Sequence, residues 1–200
     1  LKAAGISAEL AAFPPRERIL AVTRDLFMAR GIRGVGVEEI ATAARTNKMT
    51  LYRHFESKDL LVVAYLKLLC TEADAVWRDA AFAHPADPVA QLRVWIDFVC
   101  AKLAEPNGRG CPISNAAVEL PEKDHPGRAV IEEHKTYQRE NILRCCRDAG
   151  FAEPETLADT LYLMLEGARI NIQSVGLCGP SGRLKDTLLA LLRVHPRRKH

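Results

Sequence analysis

The stretch Val37–Lys58, VEEIATAARTNKMTLYRHFESK, constrains this chain more than any other, because it reads as two short helices joined by a tight turn. Val37, Ile40, Ala41 and Ala44 fall at i, i+3, i+4 and i+7, one apolar stripe of a helix. Arg45-Thr46-Asn47 breaks that pattern, and Leu51 and Phe55 then mark a second, shorter stripe. The outward positions of the second helix are Lys48, Met49, Tyr52, Arg53 and His54. A helix this short is unstable alone and must be held by its neighbours. Held so, it suits a major groove, where cations and hydrogen-bonding tips meet phosphates and base edges. The pattern is that of a helix-turn-helix. Any small helical domain can also carry a short helix with a solvated basic face, so periodicity leaves both readings open.

A longer series of residues runs in order through Arg16–Lys58: Arg18-Ile19-Leu20, Leu26-Phe27, Arg30-Gly31, Val37-Glu38-Glu39-Ile40-Ala41, Thr50-Leu51-Tyr52-Arg53-His54-Phe55 and Ser57-Lys58-Asp59-Leu60. This series resembles the DNA-binding domain of the tetracycline-repressor (TetR) family of bacterial transcription regulators. The resemblance extends more weakly through GCPISNAAVEL and DHPGRAVIEEH. It implies DNA contacts from Arg45, Thr46, Asn47, Lys48, Met49, Thr50, Tyr52, Arg53, His54 and Lys58. Three positions depart from the family pattern. Gly36 caps the second helix without a hydroxyl. Arg45 stands where glycine is usual, at a cost of about 1 kcal/mol if positive φ is required. Thr46 replaces a small apolar residue.

Two hundred residues can hold one small and one medium domain with ample core. A net charge of +3 says little, but between Arg45 and Lys58 four cations stand against Glu56 alone. Such clustering is the footprint of phosphate binding. Arg193, Arg197, Arg198 and Lys199 form a second cluster, expected as a solvated tail.

No basic region followed by an apolar run opens the chain, and its most apolar stretch, Leu161–Leu165, is cut by Glu166. A cytoplasmic protein with no membrane partner is expected. The start without Met suggests a trimmed terminus, with residues 1–13 as a loose arm. The six cysteines, Cys70, Cys100, Cys111, Cys145, Cys146 and Cys178, show no C-x-x-C pair and no zinc spacing. They read as free thiols packed as small hydrophobes. A redox role is left for one that proves exposed and of low pKa. No metal and no cofactor are expected.

Every break in the chain is a helix terminator, and no stretch alternates with period two. Nine helices are expected, an all-α fold. A helix-turn-helix domain at 1–57 precedes a ligand-binding and dimerisation domain at 58–200. Ser57 should cap a long helix over about 58–82, and further helices are expected near 91–103, 113–120, 127–149, 154–175 and 183–194. The turn PNGRG (Pro106–Gly110) and the break GLCGPSG separate them.

The resemblance implies an effector pocket between the fourth and eighth helices, for a largely apolar small molecule. Val76, Trp77, Trp95, Phe98, Val99, Tyr137 and Met164 are its candidate walls, and Asn115, Glu119, Gln138 and Glu166 its polar groups. Ordinary core packing is the competing account of the rings, and a pair with Arg169 that of Glu166. The last two helices are apolar on more than one face, which calls for burial on both. Leu163, Gly167, Ile170, Ser174, Leu184, Leu188, Leu191 and Leu192 are the expected homodimer contacts, as the family's four-helix interface implies. The expected function is a homodimeric regulator binding a palindromic operator, a repressor released by a small molecule. No Ser/His/Asp order, metal cluster or phosphate-cradling loop suggests an enzyme. The third reading is a ligand-binding module that has lost DNA, with Arg45 as its best argument.

Overall fold

The computed structural model describes residues 13–105 and 109–198. The expected arm, apart from Phe13, therefore lies outside the described residues, as do Lys199 and most of the PNGRG turn. Among the described residues the protein is all-α. The helices are α1 (Pro15–Arg30), α2 (Val37–Ala43), α3 (Lys48–Phe55), α4 (Lys58–Ala83), α5 (Pro88–Leu103), α6 (Pro112–Glu119), α7 (Pro126–Asp148), α8 (Pro154–Val175) and α9 (Leu184–Val194). Six of them begin on a residue that explains the start. Pro15, Pro88, Pro112, Pro126 and Pro154 occupy first positions, where the missing N–H costs nothing. Ser57 caps α4, its Oγ accepting from the Leu60 N–H at 3.1 Å. Glycine ends α1: Gly31 has φ +81°, and its N–H returns to the Phe27 carbonyl at 2.8 Å. The sequence breaks near Pro85 and GLCGPSG are turns as expected, the latter as two short 3₁₀ segments at Gly176–Cys178 and Pro180–Arg183.

The chain divides into two compact units, and the boundary is not at residue 57. The first unit runs to Leu69 and adds Asn115–Ile131. Its core explains why. Leu61, Val62, Tyr65 and Leu66 of α4 are buried along with Ile19, Phe27, Ile40, Leu51 and Phe55. Tyr65 meets Phe27 edge to face at 5.3 Å. The first turns of α4 thus complete the core of the helix-turn-helix instead of leaving it. Glu119 binds into the same unit, its carboxylate accepting from the Arg33 N–H at 3.0 Å and its carbonyl from Arg33 Nε at 2.7 Å.

The second unit comprises Cys70–Ser114 and Glu132–His200. Its core is one cluster on α4, α5, α7, α8 and α9, centred on Trp77, Trp95, Ile96, Ile142, Phe151, Leu161, Leu165 and Leu188. Its C-terminal end is exposed at Arg193, Arg197 and Arg198, as expected of a solvated basic tail, and it is also tethered. Arg197 pairs with Phe151 in an isolated antiparallel bridge, with its guanidinium 3.8 Å from the Phe151 ring centroid. The Arg198 N–H also donates to the Gly150 carbonyl at 2.9 Å. The Ala152 N–H donates in turn to the Pro196 carbonyl at 3.0 Å, so one aromatic ring and two backbone bonds tether the exposed tail.

Candidate nucleic-acid interface

In the first unit, α1 packs on α2 and α3, and α2 packs on α3. Leu51 is wholly buried and Phe55 nearly so, with the Arg16 guanidinium 5.1 Å from the Phe55 ring centroid. These two anchors fix the rotation of α3, and Met49 is left 84% exposed beside exposed Lys48 and Arg53. Thr50, Tyr52 and His54 are half-buried. Thr46, before the helix, is also half-buried, and its N–H donates to the Ala41 carbonyl at 2.9 Å.

Both ends of α3 are held in costly backbone conformations. Arg45 has φ +51° and Glu56 has φ +58°, and they are the only non-glycine residues with positive φ among the described residues. Each costs roughly 1–2 kcal/mol against a right-handed alternative. That cost is paid where the chain must turn sharply into and out of the helix. Asn47 caps the entrance, its Oδ1 accepting from the Thr50 N–H at 2.9 Å. Gly36 caps α2 in extended conformation with no side-chain bond, as its sequence position indicates.

Two of the four clustered cations are already engaged within the protein. Lys48 pairs with Glu38 of α2 at 2.6 Å, and its Nζ lies 6.0 Å from the Tyr52 ring centroid. The hydrogen bond from Lys48 holds the Glu38 carboxyl below its ordinary range. This pair is solvent-exposed and therefore worth little, so a phosphate can displace Glu38 at small cost. Lys58 is engaged within the protein too. Its Nζ donates to the Ile32 carbonyl at 2.9 Å, and burial pushes its ammonium down. It lines an open cleft of about 410 Å³ within the first unit, with Ile32, Glu119, Leu120 and His125. No local sequence pattern marks this bond, because the partner is a backbone carbonyl 26 residues away.

A sequence profile described as "Bacterial regulatory proteins, tetR family" matches residues 19–65, the segment that builds this helix-turn-helix and its support. The helix-turn-helix segment is a TetR-family domain. A TetR-family transcriptional regulator from Streptomyces coelicolor is 27% identical, with a TM-score of 0.81 over 90% of this chain and 94% of that one. A putative TetR-type regulator from Streptomyces avermitilis is 28% identical, with a TM-score of 0.68 over 92% and 100% of the two chains. Among curated relatives, the HTH-type transcriptional repressor DhaR of Mycobacterium sp. strain GP1 is 28% identical over 111 residues, 56% of this chain. The match spans about half of DhaR, 54% of its length.

The residues expected to line an effector pocket do not come together as one set. Asn115 and Glu119 belong to the first unit, where Glu119 is engaged by Arg33. Trp77 and Trp95 stack at 5.2 Å in the second unit, both almost fully buried. Both indole N–H groups donate to Gln138 Oε1, at 2.8 and 3.0 Å, and Gln138 Nε2 donates to Asp74 at 2.8 Å. Gln138 therefore satisfies two buried tryptophans and has little left for a ligand. Val99 is buried with them. Phe98, Tyr137 and Met164 pack partly buried at the edge of this core, and Val76 is also half-buried. Glu166 forms the pair with Arg169 and is held as well by Lys135, 2.7 Å from both its oxygens.

The apolar faces of the last helices separate into two groups. Leu184, Leu188 and Leu192 are buried in the second unit's own core, which corrects their assignment to a dimer contact. Leu163 and Ile170 are 65% and 51% exposed, Ser174 is exposed, and a Cβ at Gly167 would meet nothing within 4 Å. Leu191 lies between the groups, half-buried. Val175 and Leu177, not singled out in the sequence, extend the exposed stripe. Their apolar type was legible, but their direction was set by the break after α8.

Proposed function

We propose that this chain is a homodimeric, sequence-specific DNA-binding transcription regulator, a repressor released from a palindromic operator by a small molecule. The observation that carries the reading is α3: a capped helix with two buried anchors that presents Met49, Tyr52 and Arg53 outward. Exposed guanidinium and ammonium groups near a helix N-terminus can meet phosphates, while Arg53 suits a guanine edge. A two-fold dimer would set two such helices one DNA turn apart, about 34–36 Å. The stripe Leu163, Gly167, Ile170 and Ser174 supports that dimer, since a small residue between apolar ones permits close helix approach.

The effector is read as largely apolar, with Val76, Phe98, Tyr137 and Met164 as the walls that have room to move. Trp77, Trp95 and Gln138 serve as the floor. An effector can shift the equilibrium only by its differential affinity for the two states, and operator DNA must weaken effector binding by the same factor. The deciding experiment is titration of the full chain with DNA from upstream of its own gene, against scrambled DNA of equal length. Sequence-selective binding that falls steeply with salt is the expected result. Equal, weak binding to both would leave a ligand-binding module without operator function.

A further inference from the structure

The peptide between Ile32 and Arg33, in the turn from α1 to α2, is held at both of its polar groups. Its carbonyl accepts from Lys58 Nζ at 2.9 Å, and its N–H donates to Glu119 Oε2 at 3.0 Å. A peptide dipole is negative at oxygen and positive at the N–H. An ammonium on one side and a carboxylate on the other therefore both meet it with the favourable sign. Gly31 makes room for the carboxylate, since a Cβ there would stand 2.7 Å from both Glu119 oxygens. Arg33 binds back, donating from Nε to the Glu119 carbonyl at 2.7 Å and from Nη2 to Glu122 at 2.9 Å. All of these residues belong to the first unit.

Ile32 precedes α2, Lys58 follows α3, and both helices lie in the stretch between them. The Lys58 bond thus ties the entrance of the helix-turn-helix to its exit. Glu119, 86 residues beyond Arg33, anchors the same peptide from the end of α6. Little else fixes the angle of α2. It has seven residues, only Ile40 and Ala41 are buried, and Gly36 caps it with no side-chain bond. Since α3 packs on α2, its direction depends on the turn before α2 as well. Glu56, at the exit, holds its positive φ only because the surroundings impose it.

We propose that Glu119 and Lys58 are positioning residues for DNA recognition, a role that rests on the operator binding proposed above. By holding the Ile32–Arg33 peptide from both sides they fix the angle at which α2 and α3 are presented. Neither side chain is needed at the DNA itself. Hydrogen bonds to base edges demand that α3 sit at one depth and tilt in the groove, whereas phosphate neutralisation tolerates a looser helix. A loosened turn must be ordered again on binding, and that cost falls on the operator complex. Binding to unrelated sequences, which is mainly ionic, changes little.

The test compares the full chain with Glu119→Ala, Glu119→Gln and Lys58→Met. Each is titrated with the best sequence selected from random DNA and with scrambled DNA of equal length. Glu119→Ala and Lys58→Met should each weaken binding to the selected sequence by about three- to tenfold. Affinity for scrambled DNA should stay within about twofold, and the slope of log affinity against log salt should not change. Glu119→Gln keeps an oxygen for the Arg33 N–H and should stay within about twofold on both DNAs. Combining Glu119→Ala with Lys58→Met should lose no more than the worse single change, because both act on one peptide. Hydrogen exchange at the Arg33 amide should be more than about tenfold faster in Glu119→Ala. Faster exchange with unchanged selectivity would make the contact purely structural and overturn the proposal. A salt slope reduced by about one ion in Lys58→Met would overturn it too. If Glu119→Ala does not fold, Lys58→Met decides alone. An unaltered chain that binds both DNAs alike would instead overturn the proposed function, and this role with it.

Discussion

Asn47 Oδ1 accepts from the Thr50 N–H and so ties the side chain to the first turn of α3. Replacing it by Ala should lower unfolding stability by about 1 kcal/mol in urea titration. Operator affinity should fall in parallel, because a frayed α3 pays its ordering cost on binding. Arg53 is exposed on α3. Arg53→Ala should cost about 1–3 kcal/mol of operator binding and relax specificity at one position. Lys58 behaves differently from a phosphate contact. Its ammonium satisfies the Ile32 carbonyl, so Lys58→Ala should reduce stability by about 1 kcal/mol. The slope of log affinity against log salt should stay unchanged. A slope reduced by about one ion would return Lys58 to the DNA surface.

On α8 and α9, position along the helix decides between two kinds of failure. Leu188 is fully buried within the protomer, so Leu188→Ala should destabilise the fold by about 2–5 kcal/mol, read by urea unfolding. Gly167 faces open space in the protomer, so Gly167→Arg costs little there. In a dimer built on Leu163 and Ile170 the same arginine would sit unpaired between helices. Sedimentation should show a folded monomer for that variant. An intact dimer would place the interface on another face.

Across the whole molecule, the Glu166 cluster ties stability to acidity. Burial raises the Glu166 carboxyl, and Arg169 and Lys135 outweigh that, so it lies below its ordinary 4.5 in the folded state. A carboxyl lowered by folding stabilises the fold fully above its unfolded value. That contribution is lost as pH falls through the folded value, so the loss begins below about pH 4.5. Glu166→Gln should cost about 3 kcal/mol at neutral pH, because it leaves two buried cations without their carboxylate. It should also flatten the acid limb of stability against pH, measured by thermal unfolding. An unchanged acid limb would assign the acid loss to other carboxyls.

The sequence by itself determined the helices, because prolines at first positions, Ser57, Asn47 and Gly31 act on the backbone within one turn of themselves. It likewise determined the inward side of α3, since Leu51 and Phe55, four residues apart, share one apolar face. Tertiary structure decided what each face meets. Leucines four apart on α9 look alike in sequence whether they close a core or await a partner, and packing against α5 and α8 buried Leu184, Leu188 and Leu192. Lys58 looked like any cation after a recognition helix until the fold placed the Ile32 carbonyl within its reach. Ser114, Lys135 and the Glu166–Arg169 pair lie on separate stretches of sequence, and only the folded second unit brings them together. Local rules fix a side chain's direction along its own element, whereas burial and charge depend on neighbours that the chain reaches only by folding.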